Sequence, residues 1–84
     1  MLEFNFTNYF FKNLKKLSPI LRKLFWKRLE IFKKDIFHPQ LKTHKLKGLK
    51  NCWSFSLNFS LRVIFRLEGE KVFFLEIGSH DIYK

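Results

Sequence analysis

The chain is poor in cysteine, proline, glycine and acidic residues. Its 84 residues include one Cys, two Pro, three Gly and only seven Asp plus Glu, against 17 Lys plus Arg. A single cysteine, Cys52, excludes an intramolecular disulfide, so we expect a cytoplasmic protein. No stretch approaches the roughly 20 apolar residues of a membrane helix, and the alternating residues 1–6 differ from a secretory signal peptide.

The charge excess limits the classes of partner. The formal net charge is +10, and such a field concentrates polyanions around the protein. Nucleic acid, an acidic protein and an anionic membrane are the candidate partners. A protein with an excess of positive charge this large usually binds phosphate groups. A chain of this length buries one core, so we predict a single domain over residues 1–84, filled largely by aromatic side chains.

Two amphipathic helices are predicted in the first half of the chain. A strand over residues 2–6, in which apolar and polar residues alternate, precedes them. Thr7 can cap the first helix, and Ser18 followed by proline is a typical start for the second. Apolar residues at helical spacing extend the second helix to about Phe37, since the residue before Pro39 is pushed out of the helical region.

The second half predicts an antiparallel meander. Residues 40–51 form a basic loop without an acidic residue. Three stretches with strand-like patterns follow, separated by two turns: 53–57, 61–67 and 72–77. We expect the last strand to end at Gly78. The predicted fold is α+β in the order β-α-α-β-β-β, with two helices packed on a small, mainly antiparallel four-stranded sheet.

Two arginines of one predicted strand are candidates for phosphate binding. Arg62 and Arg66 fall on the same face of the strand. Like charges repel there unless water or an anion screens them, and one phosphate between the two guanidiniums would satisfy both. We predict a phosphate contact for at least one of them, with solvated arginines as the alternative.

Histidine supplies the candidate acid-base groups. His80 lies in a short tail after the last strand, and His44 lies in the basic loop. Histidine transfers protons near neutral pH, so each ring is either an acid-base group or an ordinary polar residue, and phosphate binding is a third alternative for His44. Neither a metal nor a cofactor is predicted, because no Cys-x-x-Cys, His-x-x-x-His or glycine-rich phosphate loop occurs.

Four segments occur in an order that resembles the RelE/ParE superfamily. They are Lys45-Leu46-Lys47-Gly48, Trp53-Ser54, Leu61-Arg62-Val63-Ile64-Phe65-Arg66 and Ile77-Gly78-Ser79-His80-Asp81-Ile82-Tyr83. The chain is most similar to the RelE/YafQ-like mRNA interferases. This resemblance implies the toxin of a type II toxin-antitoxin pair, which cuts mRNA in the ribosomal A site and is silenced by a cognate antitoxin.

The resemblance also implies the roles of individual residues. Arg62 matches the family's strand arginine at the scissile phosphate, and His80 matches the acid-base residue after the last strand. Tyr83 matches the terminal aromatic residue, although two residues rather than the usual three separate it from His80, and His44 matches a loop histidine of the YafQ-like branch. Further RNA-phosphate contacts are expected from Lys42, Lys45, Lys47, Lys50 and Arg66.

The implied reaction is a metal-independent RNA cleavage. The 2′-hydroxyl attacks the phosphate, so the protein deprotonates that hydroxyl, stabilises the phosphorane and protonates the leaving 5′-oxygen. Arg62, supported by Arg66 or Lys47, would stabilise the charge, while His80 and His44 would share the acid and base roles. The ribosome would align the substrate.

Two other functions remain as alternatives. A ParE-like toxin acting on DNA gyrase would keep the fold without catalysis, but it has no use for a proton-transfer group at His80. A plain nucleic-acid-binding module would use only the basic loop and the helix faces.

The basic loop gives a first test. Replacing Lys45 and Lys47 together by Glu should weaken ribosome association and flatten its dependence on salt, because fewer counterions are released on binding. Sedimentation with ribosomes over a series of salt concentrations measures both effects. If the salt dependence of ribosome association is unchanged, these lysines do not contact the ribosome.

Overall fold

One strand and two helices precede four further strands. The computed structural model describes residues 2–79. The elements are β1 (Glu3–Phe6), α1 (Asn8–Lys15), α2 (Pro19–Lys34), a 3-10 turn (Pro39–Leu41), β2 (His44–Lys45), β3 (Cys52–Ser56), β4 (Leu61–Glu68) and β5 (Lys71–Ser79). The predicted α+β order is confirmed, and β2 is an additional short strand within the basic loop.

The strands form one mixed sheet in the order β1-β5-β4-β3-β2. β1 runs parallel to β5, and the other three pairs are antiparallel. The sheet has five strands rather than the predicted four, because His44 and Lys45 pair with β3. β5 also continues through Gly78 to Ser79, past its predicted end, because β4 pairs with it there.

Local side-chain bonds set the helix ends. The Ser18 hydroxyl accepts from the Leu21 amide at 3.3 Å and caps α2 as predicted. α2 ends at Lys34, before the predicted Phe37, because the Asp35 backbone is extended and its carboxylate accepts from the Phe37 amide at 3.0 Å. Neither helix within residues 2–79 is long and apolar enough to cross a membrane.

Aromatic rings fill the layer between the helices and the sheet. Phe74 of β5 is fully buried at its centre. Its ring centroid lies between 4.7 and 6.4 Å from six others: Phe4, Phe6, Phe10, Phe25, Phe32 and Phe65. Aromatic pairs at this spacing add roughly 0.5 to 1.5 kcal/mol each beyond the area they bury. Both helices and three strands therefore meet at one side chain.

The opposite face of the sheet, which we call the open face, has a much smaller apolar cluster. It consists of Leu46, Cys52 and Ile64, with Leu75 packed against them. Ser54 is also fully buried, and its hydroxyl has no hydrogen-bond partner among residues 2–79. Cross-strand partners share a face, so His44 opposite Ser54 belongs to the open face.

Two phenylalanines with opposite surroundings test the role of the aromatic layer. Phe74→Ala should lower the free energy of unfolding by about 3 to 5 kcal/mol, since it leaves a cavity among six rings. Phe59→Ala is the matched control, because that side chain is 96% exposed and its removal should change stability by no more than about 0.5 kcal/mol. Urea denaturation followed by circular dichroism measures both, and equal costs would contradict this account.

Candidate nucleic-acid interface

A depression of about 340 Å³ opens beside the hairpin that joins β3 and β4. Its lining comes from α2, the basic loop and the hairpin: Arg28, Gln40, Lys42, Ser56, Leu57, Asn58, Phe59 and Arg62. Three of these residues are cationic and none is acidic. We call it the cationic depression, and its charge and concave shape favour an anion.

Arg62, predicted as a phosphate ligand, lies in the cationic depression and also braces the hairpin. Its Nη1 donates to the carbonyl oxygens of Asn58, Phe59 and Leu61 at 2.9, 3.0 and 3.2 Å. Within residues 2–79, Nε and Nη2 have no hydrogen-bond partner. The guanidinium is therefore held in a fixed orientation and retains donors for an anion.

Arg28 is a lining residue that the sequence prediction missed. Its side chain reaches the depression from α2, and its Nε is buried without a hydrogen-bond partner in the described part of the chain. Leaving a buried donor unpaired costs about 1 to 3 kcal/mol. In the sequence, Arg28 stands among the lysines of an amphipathic helix, where it is indistinguishable from a solvated residue.

Arg66 lies outside the cationic depression. It is four positions from Arg62 on β4, which separates their backbones by about 13 Å. Its Nε and Nη2 donate to Glu68 Oε1 at 3.0 and 2.5 Å. Arg62 and Arg66 thus bond to different partners, and the predicted grouping of both guanidiniums around one phosphate is not seen in the structure.

The predicted histidine and lysine ligands divide between different surfaces. His44 and Lys45 are adjacent in β2 and point to opposite faces. Lys45 Nζ lies 6.0 Å from the centroid of the Trp53 ring, whereas His44 Nδ1 lies 3.2 Å from the Lys42 carbonyl oxygen. His44 shares the open face with Arg62, but their backbones are about 12 Å apart, because they are separated by two strands across the sheet and two residues along it.

The remaining loop lysines lie apart from the cationic depression. Residues 45–50 line a separate, larger depression of about 660 Å³, which includes Lys47 and Lys50. Among the predicted phosphate ligands, only Lys42 joins Arg62 in the cationic depression. The basic loop is thus an extended cationic surface rather than one site.

The tail residues His80 and Tyr83 lie outside the described residues. The described part of β5 ends at Ser79, which pairs with Leu61 beside the hairpin. In the range 2–79, no group of three or more His, Cys, Asp or Glu side chains is arranged to hold a metal ion.

Solved toxin structures share this architecture. A chain of the RelB-RelE antitoxin-toxin complex from Methanococcus jannaschii has a TM-score of 0.78 and 21% identity, covering 94% of each chain. The YoeB/ParE toxin from Agrobacterium tumefaciens gives a TM-score of 0.79 and 15% identity, covering 94% of this chain and 99% of that one. The chain has the RelE/ParE toxin fold.

A metal-bound toxin from Helicobacter pylori is also similar, with a TM-score of 0.75 and 26% identity over 95% of this chain and 96% of that chain. No protein-family model matches the sequence, and no curated protein matches it. The RelE/ParE fold is therefore retained at low sequence identity, and the fold implied by the short sequence motifs is confirmed.

A pair of arginine variants tests the cationic depression on this RelE/ParE fold. Arg28→Gln should weaken binding of single-stranded RNA and reduce the slope of log K against log salt by about 0.7, the loss of one phosphate contact. Arg66→Gln removes the same charge from a residue already paired with Glu68, so its slope should not change. Fluorescence anisotropy over a salt series measures both. Equal effects would mean that only net charge matters.

Proposed function

We propose that the chain is the toxin of a type II toxin-antitoxin pair and acts as a metal-independent endoribonuclease on ribosome-bound mRNA. The main support is a depression lined by three cations and no acid on a RelE/ParE fold. The similar structures include two toxins with their antitoxins, RelE with RelB and YafQ with DinJ. A cognate antitoxin is the corresponding partner here, with an acidic or amphipathic helix as its binding element.

Charge stabilisation is the proposed task of the cationic depression. RNA cleavage by the 2′-hydroxyl places an additional negative charge on the phosphorane. Arg62 would donate to this phosphorane through Nε and Nη2, while its Nη1 bonds to the hairpin carbonyls hold the guanidinium in place. Arg28 and Lys42 would add charge from two other segments. Donors fixed before the reaction need little rearrangement as that charge develops.

Proton transfer is assigned to the histidines. We propose that His80 and His44 share the base and acid roles, with His44 on the same sheet face as Arg62 and His80 following directly after the described part of β5. Tyr83 is proposed to contact the RNA near His80. The lysines of the basic loop would bind RNA phosphates of the ribosome or the message, and binding in the ribosomal A site would align the scissile phosphate.

Cleavage of mRNA on translating ribosomes tests this proposal. Primer extension should detect cuts with the parent protein, and His80→Ala should lower the cleavage rate about 100-fold or more, as expected for loss of an acid-base group. His38→Ala is the control, since the His38 ring accepts from the Gln40 amide at 3.1 Å in the 3-10 turn. It should retain cleavage.

Other results would redirect the proposal. Full activity of His80→Ala would remove that residue from catalysis, and equal cutting of free RNA would remove the ribosome requirement. Inhibition of gyrase supercoiling by a protein that cuts no RNA would favour the gyrase-directed toxin instead.

A further inference from the structure

An exposed phenylalanine stands at the rim of the cationic depression. Phe59, at the tip of the β3–β4 hairpin, is 96% exposed and lines that depression together with Arg28, Lys42 and Arg62. We propose that the Phe59 ring is a stacking platform for an unpaired RNA base whose phosphate lies in the cationic depression. This inference rests on the proposed function and adds a residue that selects single-stranded RNA.

The turn that presents Phe59 is braced on both sides. Asn58 Oδ1 accepts from the backbone amides of Ser60 and Leu61 at 2.9 and 2.8 Å. Arg62 Nη1 donates to the carbonyl oxygens of Asn58 and Phe59 itself. The backbone at Phe59 is therefore fixed by side chains before any ligand arrives, and binding to its ring requires little further ordering.

The surroundings of Phe59 differ from those of other exposed apolar residues. Trp26 and Phe37 each lie in ring contact with another aromatic side chain, whereas Phe59 makes no such contact within residues 2–79. Ile20 is 80% exposed on the first turn of α2, away from the lining of the cationic depression. Phe59 thus combines a free ring with neighbouring cations.

This combination fits one chemical class of ligand. Proteins bind single-stranded nucleic acid by placing cations along the phosphates and aromatic rings under the bases. A base in a duplex is stacked on its neighbours and cannot lie on an external ring, so an unpaired base is required. An acidic protein segment would match the cations but would not require a flat ring at Phe59.

The test compares two short, fluorescently labelled RNA strands. Both are 2′-O-methylated, which removes the attacking hydroxyl, and one of them has abasic positions. Anisotropy gives the affinity of each strand for the parent and for Phe59→Ala, Phe59→Trp and Ile20→Ala. Circular dichroism confirms that each variant is folded.

Phe59→Ala should weaken binding of the strand with bases by about 5- to 150-fold, the range for loss of one stacked base. It should leave binding of the abasic strand and the salt dependence unchanged, because no phosphate contact is lost. Phe59→Trp retains a stacking surface and should bind like the parent. Ile20→Ala should match the parent with both strands.

Three results would overturn the proposal: no binding of the base-containing strand by the parent, an equal loss of affinity for both strands, or no loss for either. Loss of antitoxin binding in Phe59→Ala with RNA binding intact would assign the ring to a protein interface. The outcome is separable from the proposed function. If Phe59→Ala selectively loses base-dependent binding but the parent does not cut mRNA on ribosomes, only the stacking proposal is supported. If the parent cuts mRNA and Phe59→Ala binds both strands like the parent, only the proposed function is supported.

Discussion

The burial of Phe74 is the constraint on which the rest of the structure depends. Its ring contacts aromatic side chains of both helices and two neighbouring strands, so the helices are committed to one face of the sheet. Most of the buried apolar residues of the strands lie on that face, and a smaller apolar cluster lies on the other. Because the helices cannot also cover the other face, polar side chains such as His44 and Arg62 are placed there.

The same division explains how so small a chain positions a charged site. Side chains alternate along β4, so Val63 and Phe65 enter the core while Arg62 is directed away from it. Arg62 then supplies hydrogen bonds that the hairpin backbone would otherwise lack. One guanidinium thus braces the turn and, in the proposed function, also supplies donors to an anion, which limits the substitutions that position tolerates.

The sequence predicts elements whose signals are local and fails where partners are distant in the chain. The Ser18-Pro19 start of α2 and the alternation of β4 are local and were confirmed. β2 consists of two residues with no periodic pattern, and its existence depends on pairing with Trp53 and Ser54. The end of α2 is an exception, because the Asp35 carboxylate accepts from the Phe37 amide only two residues away, and this local signal was missed.

The candidate site follows the same rule. Strand position and the resemblance to known toxins identified Arg62, but Arg28 becomes part of the site only when α2 is packed against the hairpin. The ion pair of Arg66 with Glu68 could have been predicted from the sequence, because residues two apart on a strand share a face. The grouping of the loop lysines could not have been predicted, because Lys42 and Lys47 lie in different depressions only once β2 divides the loop.

The parallel pairing of β1 with β5 has a consequence for the order of folding. Thr7 donates to the carbonyl oxygen of Phe74, 67 positions further along the chain, so β1 pairs with a strand that is synthesised much later. Contacts this distant close a long loop, whose entropic cost must be met before the pairing contributes stability. Until Phe74 has left the ribosomal exit tunnel the core therefore lacks its central ring, and Phe4 and Phe6 of β1 have only rings from the helices to pack against.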